Sequence, residues 1–116
     1  MKEYIRKGIP LYLRPLAWQY LSSSNMTDLK EKFKDYLKKP SICEKIIRRD
    51  VDRTYPDQEL FKNGNGQESL FNIMKAYSIY DQEVGYCQGS AFICGLLLLQ
   101  VCIFDFKEEK KKFIKT

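Results

Sequence analysis

Residues 47–54 read Ile-Arg-Arg-Asp-Val-Asp-Arg-Thr, the stretch on which the interpretation of the whole chain depends. Ile47 and Val51 are four residues apart, so a helix places both on one face, turned toward a core. Asp50 and Arg53 are three residues apart, and a helix brings such a carboxylate within reach of the guanidinium. The stretch therefore predicts an amphipathic helix that carries an ion pair near its C-terminal end.

The helix is predicted to stop at Tyr55-Pro56, because a residue before proline is disfavoured in the α region. Arg53 is then expected at a helix C-terminus, where a cation is favoured and its side chain can project into a groove. For an isolated D-x-x-R pattern, the simplest interpretation is a salt bridge on a surface helix. The rest of the chain decides against that interpretation.

Composition indicates one soluble domain or part of one. The 116 residues are 44% hydrophobic and 14% aromatic, which supports a packed core rather than disorder. The net charge is +5, but residues 107–116 hold five lysines and two glutamates, so residues 1–106 carry only +2. This charge gives little support for nucleic-acid binding. Contact of the lysine-rich end with lipid or nucleic acid is the least favoured alternative.

The chain has no histidine, which excludes His-based acid–base chemistry, Ser-His-Asp and Cys-His arrangements, and His-containing zinc sites. Cys87, Cys94 and Cys102 recur at helical spacing and form no C-x-x-C pair, which predicts small buried side chains rather than ligands or disulfides. Charged residues stand where a signal peptide would have an apolar run, which predicts a reducing, cytosolic setting.

Helical periodicity predicts an all-α fold of five to six helices, with no alternating strand. The first predicted segments are a turn at Pro10–Leu13, a helix at Pro15–Leu21 with Trp18 packed on the core, and an amphipathic helix from Thr27. A Ser41-x-x-Glu44 capping box is predicted to open the helix of residues 47–54. A helix over 67–81 and an apolar helix over 91–104 follow. A connection of about twelve residues precedes the helix over 67–81, and loops of this length are often functional.

Gln88 precedes the apolar helix and is flanked by Gly85 and Gly89. A glutamine amide both donates and accepts hydrogen bonds, and the glycines allow a ligand to approach the backbone closely. Taken alone, such a glutamine is more often a capping or loop residue. A functional role for Gln88 is supported only when this glutamine is considered together with the other motifs.

Three motifs in order resemble the TBC (Tre-2/Bub2/Cdc16) domain of GTPase-activating proteins for Rab GTPases. They are R-x-G-I-P-x-x-L-R-x-x-x-W over 6–18, I-x-x-D-x-x-R-T over 47–54 and Y-C-Q-G over 86–89. Residues 66–71 and 75–78 are most similar to the ecotropic viral integration site subgroup. The resemblance implies that residues 1–101 form the N-terminal half of an all-α TBC domain. Residues 102–116 diverge from the family as a lysine-rich tail.

The resemblance also implies roles for individual residues. Arg53 matches the family's arginine finger and Gln88 its glutamine finger, so both are the candidate catalytic residues. Asp50 is expected to hold Arg53 in place, and Tyr86 to pack beside that turn or touch the partner. Arg48 and Arg49 are candidate partner-binding residues, although a solvated face is the simpler interpretation. Arg14 and Trp18 match the first motif and are interpreted as structural.

The partner implied is a Rab-family small GTPase in its GTP-bound form, with no nucleic acid and no transmembrane segment. No cofactor of the chain's own is expected, because GTP and magnesium belong to the GTPase. The chain is then a cytoplasmic activator, peripheral on endomembranes through its partner, rather than an enzyme with its own substrate. The alternative is a truncated, non-catalytic module that binds a small GTPase or another protein through an exposed apolar face.

Overall fold

The computed structural model describes residues 1–22, 27–62 and 64–101, and every regular element among them is helical. This confirms the all-α prediction. The elements are α1 (Lys2–Arg6), a 3-10 helix (Leu11–Leu13), α2 (Arg14–Leu21), α3 (Thr27–Lys38), α4 (Glu44–Asp52), α5 (Glu59–Lys62), α6 (Asn65–Tyr80) and α7 (90–101). The helices α1 and α5 were not predicted, because each is too short to show a helical periodicity.

The chain divides into two compact units, and α1, the 3-10 helix and α2 lie in the first. Pro10 precedes the 3-10 helix and Pro15 lies in the first turn of α2, as the proline positions predict. Arg14 donates from Nε to the Ile9 carbonyl at 2.9 Å, which fits a structural role. The prediction that Trp18 packs on the core is wrong, because this side chain is 46% exposed.

The second unit contains α3 to α6 and residues 90–99 of α7, together with the hydrophobic core. Ile47 and Val51 are both buried there, which confirms the predicted inward face of α4. The other buried members of the core come from α5, α6 and α7: Phe61, Leu70, Phe71, Met74 and Ala91. Leu70, Phe71 and Met74 lie three or four residues apart or adjacent, so they share one buried face of α6.

The start of α4 is fastened to α6 by polar contacts. The backbone N–H of Ser41 donates to the Glu44 carboxylate at 3.0 Å, which is one half of the predicted capping box. The Ser41 hydroxyl instead accepts from the Cys43 N–H at 3.2 Å, so α4 begins at Glu44, after Cys43 as its N-cap. Lys75 of α6 pairs with Glu44 at 3.2 Å, and the hydroxyls of Ser41 and Ser78 lie 2.7 Å apart.

The predicted connection between α4 and α6 is shorter than expected, because α5 lies within it and α6 begins at Asn65. Gly64 precedes α6 with φ +77°, a conformation that favours glycine. Gly66 in the first turn of α6 is buried against Leu60 of α5. A Cβ at Gly66 would overlap the Leu60 carbonyl oxygen and lie 2.7 Å from its carbon. The close approach of α5 and α6 therefore requires glycine here.

The apolar helix α7 buries only part of its surface within the described residues. Ala91 and Gly95 are buried, whereas five large apolar side chains are at least one-third exposed: Phe92, Ile93, Leu96, Leu97 and Val101. Among residues 1–22, 27–62 and 64–101, no helix has the length and apolar content needed to cross a membrane. The predicted tail of residues 102–116 lies outside the described part of the chain.

The cysteine prediction is only partly supported. Cys94 packs against the core, and burial raises the pKa of its thiol to about 11. Cys87 is exposed, which contradicts the prediction of a buried side chain. Its helical spacing to Cys94 is misleading because Cys87 precedes the first residue of α7. Cys102 lies outside the described residues.

Gly66→Ala should lower the free energy of unfolding by about 1–3 kcal/mol, the usual cost of overpacking. Alanine favours a helix over glycine by about 1 kcal/mol, but the overlap with rigid Leu60 backbone outweighs this gain. Urea titration followed by circular dichroism measures the change. Ser69→Ala, at an exposed position of α6, is the control and should shift stability by less than about 0.5 kcal/mol. An unchanged midpoint for Gly66→Ala would refute the packing argument.

Candidate functional site

The C-terminal end of α4 is formed by residues 50–54. Arg53 is the C-cap residue, and its N–H donates to the Asp50 carbonyl at 3.3 Å. The Thr54 hydroxyl donates to the same carbonyl at 2.6 Å, and Thr54 is completely buried. Two donors thus satisfy a carbonyl that would otherwise be unpaired at the helix end. Arg53 is at the helix terminus, as predicted.

The Asp50 carboxylate lies under this turn and is held by donors from two parts of the chain. It pairs with the Arg53 guanidinium, as the spacing predicted, and it accepts a hydrogen bond from the Tyr86 hydroxyl. The backbone N–H of Gly89 also favours its charged form. Asp50 is only 3% exposed, whereas the Arg53 side chain is 52% exposed. One end of the ion pair is therefore buried and the other faces solvent.

The surroundings of Asp50 keep it ionised and keep Tyr86 protonated. Burial disfavours the charged carboxyl, but the hydrogen bonds from Tyr86 and Arg53, the charge of Arg53 and the Gly89 N–H outweigh it. The pKa of Asp50 therefore lies below its ordinary value. Burial, followed by the contact with Asp50, raises the pKa of the Tyr86 hydroxyl far above its usual range. Tyr86 is thus a hydrogen-bond donor at neutral pH.

The segment 85–89 carries Gln88 at an exposed position just before α7. Gly85 and Gly89 have φ values of +59° and +94°, which explains why glycines flank this segment. Tyr86 donates to the Asp50 carboxylate, so the backbone is anchored two residues before Gln88. Gln88 therefore belongs to an anchored segment rather than to a free loop.

Tyr55 follows the turn and joins it to α7. Its φ of +44° is positive, so the residue leaves the α region as its proline neighbour predicts but enters the left-handed region. Its hydroxyl donates to the Phe92 carbonyl at 3.0 Å, and its ring stacks on Phe61 at a centroid distance of 6.2 Å. These contacts hold a backbone conformation that tyrosine rarely adopts.

The two candidate partner-binding arginines differ in their surroundings. Arg48 donates to the Glu68 carboxylate at 2.9 Å, and its guanidinium lies 3.5 Å from the centre of the Phe71 ring. Both contacts tie Arg48 to α6, which gives it a structural role. Arg49 is exposed in the last turn of α4. A contact of either residue with a partner remains a prediction.

The arrangement brings a guanidinium, and the segment that carries a glutamine, to one buried carboxylate. Arg53 offers a planar set of donors suited to phosphoryl oxygens, and Gln88 offers both a donor and an acceptor. Sequence reasoning missed Thr54, Tyr55 and the Gly89 N–H. A threonine that caps the carbonyl four residues earlier is a known local pattern that would have identified Thr54. The contacts of Tyr55 and Gly89 span more than thirty residues and leave no such signal.

The resemblance implies two finger residues for a GTPase activator, and the structure places one as an exposed arginine paired with a buried aspartate and the other on a segment bonded to the same aspartate. The model of the Rab-GTPase-TBC domain family matches residues 12–113. The chain therefore belongs to the Rab-GTPase-TBC family. The matched range continues beyond residue 101, and the division predicted at that point remains a prediction.

Individual relatives support the subgroup as well. The chain is 51% identical over 102 residues to the Rab GTPase-activating protein eat-17 of Caenorhabditis elegans, covering 87% of this chain and 12% of that protein. It is 54% identical over 103 residues to the ecotropic viral integration site 5 ortholog of Drosophila melanogaster, covering 87% and 13%. The human ecotropic viral integration site 5 protein homolog is 52% identical over 112 residues, with 90% and 14% covered. The chain thus spans about an eighth of the length of these relatives.

Asp50→Asn should lower the free energy of unfolding by about 1–3 kcal/mol at neutral pH, because Arg53 and Tyr86 lose a charged acceptor. The folded pKa of Asp50 lies below its ordinary value of 3.8. The stability it contributes is therefore present above pH 3.8 and is lost as pH falls through the folded pKa. Urea titrations at several pH values measure the difference between parent and variant, which should shrink below about pH 4.

Asp52→Asn is the matched control, because Asp52 is an exposed carboxylate on the same helix. Its effect should stay within about 0.5 kcal/mol. If Asp50→Asn and Asp52→Asn had equal effects at neutral pH, the buried Asp50 carboxylate would not stabilise this helix end.

Proposed function

We propose that this chain provides the catalytic residues of a Rab GTPase-activating protein, with Arg53 and Gln88 acting in trans on GTP bound to the Rab partner. The observation that carries the proposal is the shared anchor: Arg53 and Tyr86, which lies two residues before Gln88, both bond to the Asp50 carboxylate. One buried group thereby fixes both elements that carry the candidate catalytic side chains.

Arg53 suits a role in stabilising charge on the transferring phosphoryl group. GTP hydrolysis spreads negative charge over the phosphoryl oxygens, and an arginine supplied by an activating protein is worth about 10³–10⁵ in rate. The ion pair with Asp50 holds the guanidinium, while its exposure leaves donors free to meet a ligand. Catalysis benefits from such a group because it is already oriented before the partner binds.

Gln88 suits a role in orienting the attacking water. Its amide can accept a hydrogen bond from water and donate one to a phosphoryl oxygen, a task that a glutamine of the GTPase performs in other systems. The bond between Tyr86 and Asp50 restricts the backbone that carries this amide. Asp50 and Tyr86 act as supporting residues that position the two fingers.

The partner in this proposal is a Rab-family GTPase in its GTP-bound form. The GTP and magnesium belong to that partner, and the chain supplies side chains only. The relatives named as Rab GTPase-activating proteins support the choice of partner. The setting we propose is the cytoplasm, with endomembrane association occurring through the GTPase. The exposed cations Arg48 and Arg49 are proposed to contact the GTPase partner.

The exposed apolar residues of α7 favour a second candidate function, a non-catalytic module that binds a small GTPase or another protein. Large exposed apolar surfaces often mark interaction sites, and α7 presents Phe92, Ile93, Leu96 and Leu97 to solvent. This alternative predicts binding of a partner without any effect of Arg53 on GTP hydrolysis.

Arg53→Ala should remove about 10³-fold or more of the stimulated GTP hydrolysis. Arg53→Lys should remove nearly as much, because lysine keeps the charge but loses the planar fork. The measurement is single-turnover hydrolysis by a panel of GTP-loaded Rab proteins with the 116-residue chain in excess. Lys45→Ala, at an exposed cation of α4, is the control and should retain the parent rate. If the parent chain binds a Rab and the Rab hydrolyses GTP equally fast with the parent chain and with Arg53→Ala, the binding-module function replaces the proposal.

Gln88→Ala should lower the saturating hydrolysis rate by about 10²-fold, the usual cost of losing one transition-state hydrogen bond. Binding to the GTP-loaded Rab should change little, because the amide orients water only in the reacting complex. Gln82→Ala, at an exposed glutamine outside the 85–89 segment, is the matched control. A loss of binding equal to the loss of rate would show that Gln88 is a docking residue.

A further inference from the structure

We propose that Tyr55 is a positioning residue that sets the placement of Arg53 relative to α7 and thereby to Gln88. This inference rests on the proposed function, since it concerns how the two fingers are held. Tyr55 does not reach the reacting atoms in this proposal. It acts through the turn that ends α4.

The backbone of Tyr55 shows that its position is enforced. A φ of +44° is costly for a non-glycine residue and persists only where surrounding contacts hold it. Three contacts do so: the hydroxyl bond to the Phe92 carbonyl at 3.0 Å, the stacking on Phe61, and an edge-on contact with the Phe92 ring at 5.5 Å between centroids. Because Tyr55 is two residues after Arg53, these contacts restrain the end of the arginine turn.

Tyr55 packs against Gly95 of α7, where a side chain would be crowded by the Tyr55 ring. A Cβ there would lie 3.0 Å from two carbons of the Tyr55 ring and 3.3 Å from Cγ2 of Thr54. Such distances require the ring or the helix to move. Gly95 therefore allows the residues that follow Arg53 to rest directly on α7.

The arginine turn and the glutamine segment are thus joined at two places. Tyr86 joins them through Asp50 on the side before α7. Tyr55 joins the turn to Phe92 and Gly95, within the first two turns of α7. The second attachment restrains the turn at a point beyond the Asp50 carboxylate. Such a restraint matters because a misplacement of about 1 Å can cost 10²-fold in rate.

Tyr55→Phe tests the hydroxyl contact while keeping the ring. It should lower the saturating single-turnover rate by about three- to tenfold, the effect of one lost hydrogen bond, with the half-saturating concentration unchanged. A purely structural role gives the opposite pattern: fewer folded molecules raise the half-saturating concentration, but excess chain still reaches the parent rate. Tyr77→Phe is the control, because it also removes a tyrosine hydroxyl bond, to Asp81 at 3.3 Å.

Gly95→Ala tests the close approach, and it should lower the saturating rate by about tenfold or more through displacement of the Tyr55 ring. If the ring transmits this effect, the same substitution should cost far less in a Tyr55→Ala background. The double-mutant cycle then shows strong coupling between the two positions. Equal costs of Gly95→Ala in both backgrounds would overturn the inference.

A second readout needs no activity and reports the position of Arg53 directly. In the uniformly ¹⁵N-labelled chain, the Arg53 Nε–H resonance should shift in Tyr55→Phe and in Gly95→Ala and remain in place in Tyr77→Phe. An unmoved resonance in both test variants would refute the positioning role, whatever the kinetics. If the resonance moves but Arg53→Ala stimulates GTP hydrolysis as well as the parent does, the positioning contact is real and the proposed catalytic function is wrong.

Discussion

The buried carboxylate of Asp50 is the constraint on which the rest of the site depends. An ionised group with 3% exposure is costly unless hydrogen bonds and charge compensate for the lost water. Arg53 provides compensation from the same helix, and Tyr86 and Gly89 provide it from a segment more than thirty residues later. Any arrangement that separated these donors would leave a buried charge unpaired. The site geometry is therefore coupled to the stability of the fold.

This asymmetry distinguishes the pair from an ordinary surface salt bridge. Exposed pairs typically contribute about 0–1 kcal/mol, because both charges remain solvated and flexible. Here only the guanidinium is solvated, so Asp50 orients Arg53 without withdrawing it from a ligand. Arg48 differs from Arg53 in this respect, since its guanidinium lies against Phe71 and pairs with an exposed glutamate. Charge alone does not make an arginine available, and the burial of its partner decides how firmly it is held.

Local spacing explains which features could be predicted from sequence. The inward face of Ile47 and Val51, the Asp50–Arg53 pair and the helical fold follow from contacts within one helical turn or from periodicity, and the structure confirms them. The family motifs indicated Gln88 and Tyr86, but no spacing rule shows that Tyr86 bonds to Asp50. The prediction that Trp18 packs on the core is wrong because composition does not show whether a short helix has a surface to pack against. The prediction that Cys87 is buried is wrong because Cys87 lies before the start of α7, where helical spacing no longer applies.

Small residues on α7 explain the remaining geometry. Ala91 and Gly95 are one helical turn apart, and both are buried. Ala91 belongs to the same core as Val51 of α4, and Gly95 receives the Tyr55 ring. A larger side chain at either place would separate α7 from the end of α4. Because residues 85–89 lead directly into α7, the same separation would also displace the backbone that carries Gln88. The small residues Ala91 and Gly95 thus determine how closely the end of α4, which carries Arg53, can approach the segment that carries Gln88.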